Sequence, residues 1–376
     1  MELKNKKKIL LAGFQPYDNT GYPPTKCFID LIAEMHDLSF VSLPHLIPYS
    51  FLNIIINPGI IINHPFIVIK ELFNDIFSLL KDIIKFKKKI KHDNYDILIT
   101  KNHLAFAIAS FFFDETKIIF WCYDYYSYES DYYRLFIVKK LLQRNKKSLE
   151  KGSQLIIQDE NRLAILERVL GIELSPEKHI IIPVFLDKTN AKPLKEIFGK
   201  KPIIMQCGSF HEERQSLKLL SHYQNNDNYV LYYHGINMLP GNIFLKVRKV
   251  PIVSTQLYDK ERSYQVIDYC DIGFIGYTQK NDSNYKYMAY SSGQLAMFLR
   301  KAKPVISMGN NDIGLLLNKY NAGVEIQTID ELNNAIDLIV KNYKKYSSGA
   351  LDLFNNVLSS DLFIDLFSNL FINKII

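Results

Sequence analysis

The chain has 376 residues, 48% of them hydrophobic, which is long for one core, fits two domains and argues against disorder. The net charge of +7 favours anionic partners such as nucleotides or phospholipid headgroups. No cysteines have CxxC spacing and no histidines form an HxxxH or HExxH pair, which argues against structural zinc. The four cysteines are far apart, which also argues against a disulfide scaffold and favours core thiols in a reducing compartment.

The N-terminal sequence MELKNKKKILLAGF has the charge of a secretory signal. Its apolar run stops after about six residues, which is too short for one and predicts a first strand. No clean apolar stretch reaches about 18 residues, the length needed to cross a membrane. We therefore expect a cytoplasmic protein.

Short apolar runs alternate with helix-like segments along the chain, which predicts an α/β protein with two Rossmann-like domains. The predicted strands are 8–13, 38–43, 95–100, 117–121, 154–158, 179–184, 202–207, 229–234, 250–254, 271–276, 304–308 and 323–327. The predicted helices include 22–35, 65–89, 131–147, 160–170, 260–267, 294–300 and 330–341.

The polar segment 187–201, DKTNAKPLKEIFGKK, predicts the boundary between the two domains. We expect a first domain over 1–187, a second over 188–350 and a helical segment over 351–376. The last segment repeats Leu and Phe at helical spacing, and we expect it to pack on a domain rather than enter a membrane.

The segment Leu46–Lys91 departs from this pattern because an apolar loop precedes an amphipathic helix with a lysine-rich end. Ile69, Leu72, Phe73, Ile76, Leu80 and Ile83 form the predicted apolar stripe. The helix is either an ordinary surface helix or a contact with an anionic membrane surface, where each lysine would add roughly 1 kcal/mol. Nucleic acid is disfavoured, since no stacking aromatics are interleaved with these lysines.

The stretch Asp271–Met308 predicts a buried strand, a polar loop, a turn at Ser291-Ser292-Gly293, a helix and a second buried strand. A helix start has unpaired N–H groups and partial positive charge, so it favours an anion. Gly293 lacks the side chain that would hold a phosphate away from the backbone. The two serine hydroxyls either cap the helix or bind phosphate oxygens.

The predicted strand 202–207 leads into Gly208 at a turn and then Arg214. The planar guanidinium of an arginine there can grip a diphosphate. This turn and the one at Ser291–Gly293 should lie at the carboxyl ends of parallel strands, where open α/β sheets bind ligands.

QCGSFHEER (206–214), YCDIGFIGY (269–277), SSGQLAMFLRKAKPVIS (291–307) and NAGVEI (321–326) resemble the C-terminal domain of the GT-B glycosyltransferases. Among these, the group 1 (family 4) enzymes of bacterial polysaccharide assembly are most similar. The first domain resembles them more faintly, through 155–171 and 179–184. The resemblance implies two Rossmann-like domains facing a cleft, with a C-terminal helix that crosses back onto the first domain.

The resemblance also implies a hexosyl- or N-acetylhexosaminyltransferase of bacterial surface glycan assembly. Such an enzyme moves a sugar from a nucleotide diphosphate sugar to a lipid-linked or polysaccharide acceptor, and it needs no metal or other cofactor. If the segment Leu46–Lys91 contacts a membrane, as its residues allow, this cytoplasmic enzyme would be peripheral on the inner face of that membrane. The implied donor-binding residues are Gly208, Arg214, His234, Tyr277, Asn284, Ser291, Ser292, Gly293 and Gln294.

The chain departs from the family pattern at the expected catalytic positions. Gln294 replaces a frequent lysine, and Ala289 and Met297 fall where many members have paired glutamates. Two alternatives therefore remain open. One is a sugar-nucleotide epimerase of the same fold, and the other is a catalytically degenerate GT-B binding protein.

Two residues after strands of the first domain are candidate catalytic bases, because deprotonating a hydroxyl needs an imidazole or a carboxylate within reach. His103 follows the strand 95–100, where a helix cap or a buried histidine is the alternative interpretation. Asp124 follows the strand 117–121 among tyrosines that could stack on sugar rings.

Overall fold

The computed structural model describes residues 6–14, 22–41, 43, 65–124, 136–210, 212–236, 252–254, 258–278 and 283–373. All twelve predicted strands are present in these ranges, and they form two six-stranded sheets in which every pairing is parallel. The first sheet contains β1 (Lys8–Ala12), β2 (Asp37–Val41), β3 (Ile97–Thr100), β4 (Ile118–Trp121), β5 (Gln154–Ile157) and β6 (His179–Ile181). The second contains β7 (Ile203–Cys207), β8 (Val230–His234), β9 (Ile252–Ser254), β10 (Ile272–Gly276), β11 (Val305–Met308) and β12 (Gly323–Ile326).

The strand orders show where each sheet can bind a ligand. The first sheet has the order β2-β1-β3-β4-β5-β6, and the second has the order β12-β11-β10-β7-β8-β9. The direction of winding reverses between β1 and β3 in the first sheet and between β7 and β10 in the second. In open parallel sheets, ligands bind outside the carboxyl ends of the strands at such a reversal.

The described helices cover the predicted ones and add others. The predicted helices are α1 (Pro23–Met35), α2 (Pro65–His92), α4 (Phe136–Glu150), α5 (Glu160–Leu170), α7 (Lys260–Ile267), α9 (Gly293–Arg300), α11 (Leu332–Lys341) and α13 (Ile364–Asn373). The additional ones are α3 (His103–Ala109), α6 (Ser216–Gln224), α8 (Ser283–Lys286), α10 (Asn311–Tyr320) and α12 (Tyr343–Leu353).

The chain divides into two compact units, each built around one sheet. Unit 1 comprises Met1–Pro16, Ile32–Ile181 and Ser368–Ile376, and unit 2 comprises Tyr17–Leu31 and Ile182–Phe367. Helices α1 and α13 therefore contribute residues to both units.

Helix α13 leaves the second domain and ends on the first, as the family resemblance implies. Within unit 2, the Phe367 ring lies 5.5 Å from that of Phe28 and 5.9 Å from that of Phe185. Within unit 1, the Phe371 ring lies 4.8 Å from the imidazole of His36. These aromatic contacts bury Phe367 and Phe371, so the helix packs on the rest of the protein as its sequence predicted.

A buried carboxylate fixes the polar segment that precedes the second sheet. Asp271 is fully buried at the start of β10, where its carboxylate accepts hydrogen bonds from the N–H groups of Phe198 (3.0 Å) and Ile203 (2.8 Å). Its carbonyl accepts from the Tyr343 hydroxyl at 2.7 Å. The four cysteines are also buried and free of disulfide bonds, as expected of core thiols.

The predicted apolar stripe of α2 is wrong in part. Ile83 packs on the core of unit 1 together with Leu79, Phe86 and Ile90. Leu80 is 51% exposed instead, because the core-facing side of the helix is set by Leu79 and Phe86. Residues 46–64 of the predicted membrane segment lie outside the described residues, as do the side chains of Ile69, Leu72 and Phe73.

Candidate functional site

The turn after β7 contains Gly208, at a position that only a glycine can occupy without strain. Its φ is +94°, and a Cβ there would lie 2.1 Å from Gln294 Nε2. The Gln294 amide fills this space and donates to the carbonyl of Cys207. Gln294 therefore ties the start of α9 to the end of β7, a role that the residue type alone does not indicate.

Arg214 lies beside this turn, and some of its hydrogen-bond donors have no partner among the described residues. The Gln206 amide donates to the Arg214 carbonyl at 2.7 Å, which fixes its backbone. Its guanidinium carbon is 5.4 Å from the centre of the Tyr277 ring, and Nη1 is 3.6 Å from the position a Cβ would take at Gly208. Nε and Nη1 are buried, and neither has a hydrogen-bond partner among the described residues.

The Ser291–Gly293 turn begins α9 one residue earlier than predicted. Ser292 is the N-cap, and its hydroxyl accepts a hydrogen bond from the N–H of Leu295 at 3.2 Å. The Ser291 hydroxyl donates to the Tyr287 carbonyl at 3.1 Å. Both hydroxyls thus make protein contacts, and the helix start presents backbone N–H groups and the helix dipole as its means of binding an anion.

The sequence interpretation expected open space beside Gly293, but other residues occupy this space in the structure. A Cβ at this position would lie 2.6 Å from the Tyr22 hydroxyl and 2.8 Å from Pro24. Because a helical Cβ points toward the N-terminal end of the helix, Tyr22 lies beside the first turn of α9. Gly293 therefore allows α1 and α9 to approach closely.

Tyr277 connects Arg214 to the helix start and to the polar loop. Its hydroxyl is 3.2 Å from that of Ser292, and its ring stacks on Tyr285 at 5.6 Å. Helix α8 carries Tyr285 and the half-buried Asn284. Asn310 holds this helix in place, since its side chain donates to the Tyr285 carbonyl at 2.6 Å.

His234 ends β8 beside the Gly208 turn. Its carbonyl accepts from the Gly208 N–H at 2.8 Å, and its ring stacks on Tyr258 at 4.9 Å. The imidazole is 7% exposed, burial lowers its pKa to about 4, and its buried Nδ1 has no partner among the described residues. Two residues after Tyr258 in the sequence, Lys260 forms ion pairs with Asp30 (2.9 Å) and Asp187 (2.8 Å).

Two residues near the site were missed by the sequence reasoning. Asp312 Oδ2 accepts from the N–H of Ala289 at 3.0 Å, so a carboxylate does lie beside this position. Asn310 is fully buried and caps α10 by accepting from the N–H of Ile313 at 3.0 Å. The motif MGNND after β11 was the available signal, because Asn is favoured at helix starts.

In unit 1, His103 is enclosed at the start of α3. It is 4% exposed, and its Nδ1 lies 2.9 Å from the amide nitrogen of Asn145, which can only donate. Its Nε2 is 3.9 Å from Cys122 Sγ, and burial lowers the imidazole pKa to about 3. The structure places His103 in the environment that the buried-histidine interpretation describes.

Asp124 is exposed at the end of a well-anchored strand. The two preceding carbonyls are held, because Arg162 Nη2 donates to Tyr123 O at 2.7 Å and Gln158 Nε2 donates to Cys122 O at 2.9 Å. Aromatic rings lie nearby at the carboxyl ends of β1 and β4. The Lys101 ammonium is 5.3 Å from the Tyr123 ring and 5.9 Å from that of Phe14.

The site residues thus form two groups. In unit 2, Gly208, Arg214, His234, Tyr277, Ser291, Ser292, Gly293 and Gln294 surround the carboxyl ends of β7, β8 and β10. In unit 1, His103 and Asp124 follow β3 and β4. Within the described ranges, no three His, Cys, Asp or Glu side chains form a group that could hold a metal. No helix there is long and apolar enough to span a bilayer.

No family model and no curated protein sequence matches the chain. Solved structures match it over nearly the whole length. Sucrose-phosphate synthase of Thermosynechococcus elongatus has a TM-score of 0.65 at 12% identity, covering 98% of this chain and 99% of that chain. HepE of Anabaena in complex with UDP and glucose has a TM-score of 0.60 at 10% identity, covering 96% and 98%.

WaaG, a glycosyltransferase involved in lipopolysaccharide biosynthesis, has a TM-score of 0.59 at 11% identity, covering 97% of this chain and 99% of that chain. At such low identities the likeness shows the fold. The chain has the two-domain GT-B fold, and this confirms the fold that the family resemblance implied.

Proposed function

We propose that this chain is a glycosyltransferase that uses a nucleotide diphosphate sugar and binds the diphosphate at Arg214 and the start of α9. The proposal is carried by Nε and Nη1 of Arg214, which are buried and have no hydrogen-bond partner in the part of the chain that the structure describes. A buried donor without an acceptor costs about 1–3 kcal/mol, and phosphate oxygens would satisfy both Nε and Nη1. The nearby helix start adds N–H groups and positive potential.

The same contacts suit the chemistry of sugar transfer. When the acceptor oxygen bonds to the anomeric carbon, the nucleoside diphosphate leaves with the bonding electron pair. Negative charge therefore grows on the diphosphate, and Arg214 and the α9 dipole would stabilise it. Gln294 does not replace the missing lysine, because its amide is bonded to Cys207.

We propose that the nucleotide base lies against His234 and Tyr258, and that the transferred sugar lies near Tyr277 and Asn284. The stacked rings of His234 and Tyr258 offer a planar partner, and Nδ1 of His234 offers a hydrogen-bonding atom. Burial lowers the pKa of His234, so its ring is neutral near pH 7 and suits an uncharged base.

On the acceptor side we propose Asp124 as the catalytic base. A base must reach the acceptor hydroxyl, and Asp124 is exposed, whereas His103 is enclosed by Asn145 and Cys122. Tyr123 and Phe14 provide rings on which a sugar could stack. His103 would then position the carboxyl ends of β3 and β4 through its contact with Cys122.

We propose that the acceptor is a lipid-linked or polysaccharide glycan of a bacterial surface and that the sugar is a hexose or an N-acetylhexosamine. The likeness to WaaG, whose described role is lipopolysaccharide biosynthesis, supports this assignment. The lysines of α2 support the proposal that the enzyme acts at the cytoplasmic surface of an anionic membrane. The proposal needs no metal or cofactor.

Titration calorimetry with UDP-, GDP- and CMP-sugars tests the donor assignment. We expect UDP- or GDP-sugars to bind, but not CMP-sugars, which have a single phosphate. Arg214→Ala should weaken that binding about 10–100-fold, since bonds to charged groups contribute about 1.5–3 kcal/mol. Lys218→Ala is the matched control, because Lys218 is an exposed cation on the adjacent helix α6. Unchanged affinity in Arg214→Ala would contradict the diphosphate assignment.

One observation favours a second candidate function. The positions where many family 4 enzymes have paired glutamates are the apolar Ala289 and Met297, which suits a GT-B protein that binds a donor without turning it over. Chromatography of the nucleotide sugars with detection by mass spectrometry, after incubation with the bound donor, separates the possibilities, because epimers have the same mass but different retention. Transfer or hydrolysis supports the enzyme, an isomeric nucleotide sugar indicates an epimerase, and an unchanged donor indicates a binding protein.

A further inference from the structure

Helix α2 has an apolar strip that points away from the core of unit 1. Leu79, Ile83, Phe86 and Ile90 face the core. Phe77, Leu80 and Ile84 are 72%, 51% and 55% exposed. With about 3.6 residues per turn, these three lie on one line, roughly 120° around the helix from the core side. The helix therefore presents a second apolar face to its surroundings.

The strip is bordered almost entirely by positive charge. Between Ile76 and His92 the helix has six lysines and a single acidic residue, Asp82. Lys81, Lys85 and Lys88 are exposed and follow the strip along one edge. Exposed aromatic and aliphatic side chains beside lysines are the pattern of a helix that lies in a membrane interface.

A second element extends this face at the C-terminal half of α2. Phe111 and Phe112 follow Ser110, the C-cap of α3, and are 66% and 37% exposed. The Lys87 ammonium lies 5.8 Å from the Phe112 ring, and the Arg144 guanidinium carbon lies 4.3 Å from that of Phe111. Each exposed ring is thus accompanied by a cation.

We propose that this face, formed by Phe77, Leu80, Ile84, Phe111 and Phe112 with the adjoining lysines, binds an anionic lipid surface. The strip would enter the boundary between headgroups and acyl chains, while the lysines contact the phosphates. This occupant fits the charge better than a second copy of the chain, because a two-fold contact would bring the same lysines face to face. The proposal deepens the membrane part of the proposed function.

Sedimentation with phospholipid vesicles tests the proposal. We expect binding to vesicles of phosphatidylcholine with phosphatidylglycerol, weaker binding to phosphatidylcholine alone, and a loss of binding as salt screens the charges. Phe77→Ser/Leu80→Ser/Ile84→Ser should lower partitioning at least about tenfold. Lys81→Gln/Lys85→Gln/Lys88→Gln should remove the preference for the anionic vesicles.

Leu315→Ser is the matched control, since Leu315 is a 72% exposed leucine on α10 of unit 2. Equal partitioning of the wild type and the triple Ser variant would overturn the proposal. So would a dimer in sedimentation velocity that the triple Ser variant dissociates without any vesicle binding. Nucleotide binding is measured on the same variants without vesicles. If they bind vesicles as expected while no protein binds a nucleotide sugar, only the enzymatic proposal fails.

Discussion

At the scale of single residues, Gly208 determines how closely α9 approaches β7. Gly208→Ala would introduce a left-handed backbone at an L-residue and an overlap with Gln294 Nε2. We expect a loss of about 1–3 kcal/mol in the free energy of unfolding, measured by urea denaturation. Gly208→Ala/Gln294→Ser removes the overlap but keeps the backbone strain, so the two changes should not be additive.

Gly199→Ala provides the control for this prediction. A Cβ at Gly199 would lie 3.8 Å from the nearest atom, the Lys201 carbonyl, which is ordinary contact. Its unfolding free energy should stay within about 0.5 kcal/mol of the wild type. Strictly additive effects at Gly208 and Gln294 would show that the Gln294 side chain does not constrain the turn.

A second prediction at the scale of single residues concerns His103 and the pH dependence of the free energy of unfolding. Its folded pKa is lowered by burial to about 3, against the ordinary histidine value of 6.5. Between these values the unfolded chain binds more protons, so stability from this group is full above pH 6.5 and falls as the pH drops. The slope from one such histidine is at most about 1.4 kcal/mol per pH unit.

Nuclear magnetic resonance of the imidazole measures this directly. The His103 ring signals should not shift between about pH 8 and pH 5, whereas urea denaturation over the same range should show falling stability. His103→Gln should reduce that pH dependence, although other buried histidines such as His234 contribute in the same direction. A titration midpoint near 6.5 would mean that the ring reaches solvent, which a catalytic base would require.

At the scale of elements, helix α12 shows packing overriding helix propensity. Gly349 lies in the middle of this helix, where replacing glycine with alanine ordinarily stabilises by about 1 kcal/mol. Here a Cβ would lie 2.1 Å from the Tyr320 carbonyl and 2.3 Å from that of Asn321. Thermal denaturation should therefore show Gly349→Ala to be destabilising.

Ser348→Ala, the adjacent and half-buried position, is the control and should stabilise slightly. A higher melting temperature for Gly349→Ala would mean that propensity dominates and that α12 can move away from α10. The same close approach explains why the sequence pattern did not predict α12. The segment YKKYSSGALDL has weak helix formers at its centre, and only its neighbours stabilise it.

At the scale of the whole molecule, substitutions in unit 1 and in unit 2 should distinguish sugar transfer from donor binding. A ligand that binds only the folded state stabilises by about 2.7 kcal/mol at 100 times its dissociation constant. The nucleoside diphosphate should therefore raise the melting temperature of Asp124→Asn, in unit 1, as much as that of the wild type. Arg214→Ala, in unit 2, should lose this stabilisation, while transfer activity should fall in both.

Calorimetric scans with and without the nucleoside diphosphate measure the melting temperatures, and product analysis measures the transfer activity. Glu115→Gln is a control in unit 1, because Glu115 pairs with Arg144 and Lys151 before the amino end of β4, whereas Asp124 follows its carboxyl end. Full transfer activity in Asp124→Asn would contradict its assignment as the base. A lost thermal shift in that variant would instead indicate that Asp124 contributes to binding of the diphosphate.

The sequence predicted the sheets better than the surfaces. The strands were recognisable because each is a short apolar run bounded by polar residues, and both sheets are buried. The resemblance at 206–214 and 291–307 also predicted the turns that carry Arg214 and Ser292. It did not predict that Gln294 bonds the Cys207 carbonyl, or that Asp312 lies beside Ala289, because these partners are distant in the sequence.

The sequence by itself determined the alternation of strands and helices, the two Rossmann-like halves and the residue types at the strand ends. These follow from local periodicity and from turn chemistry, which neighbouring residues encode. Only the tertiary structure decided which donors of Arg214 have no partner among the described residues, that Tyr22 fills the space beside Gly293, and which face of α2 is exposed. Each of these depends on contacts between segments far apart in the chain, whose side chains compete for the same space and the same hydrogen bonds.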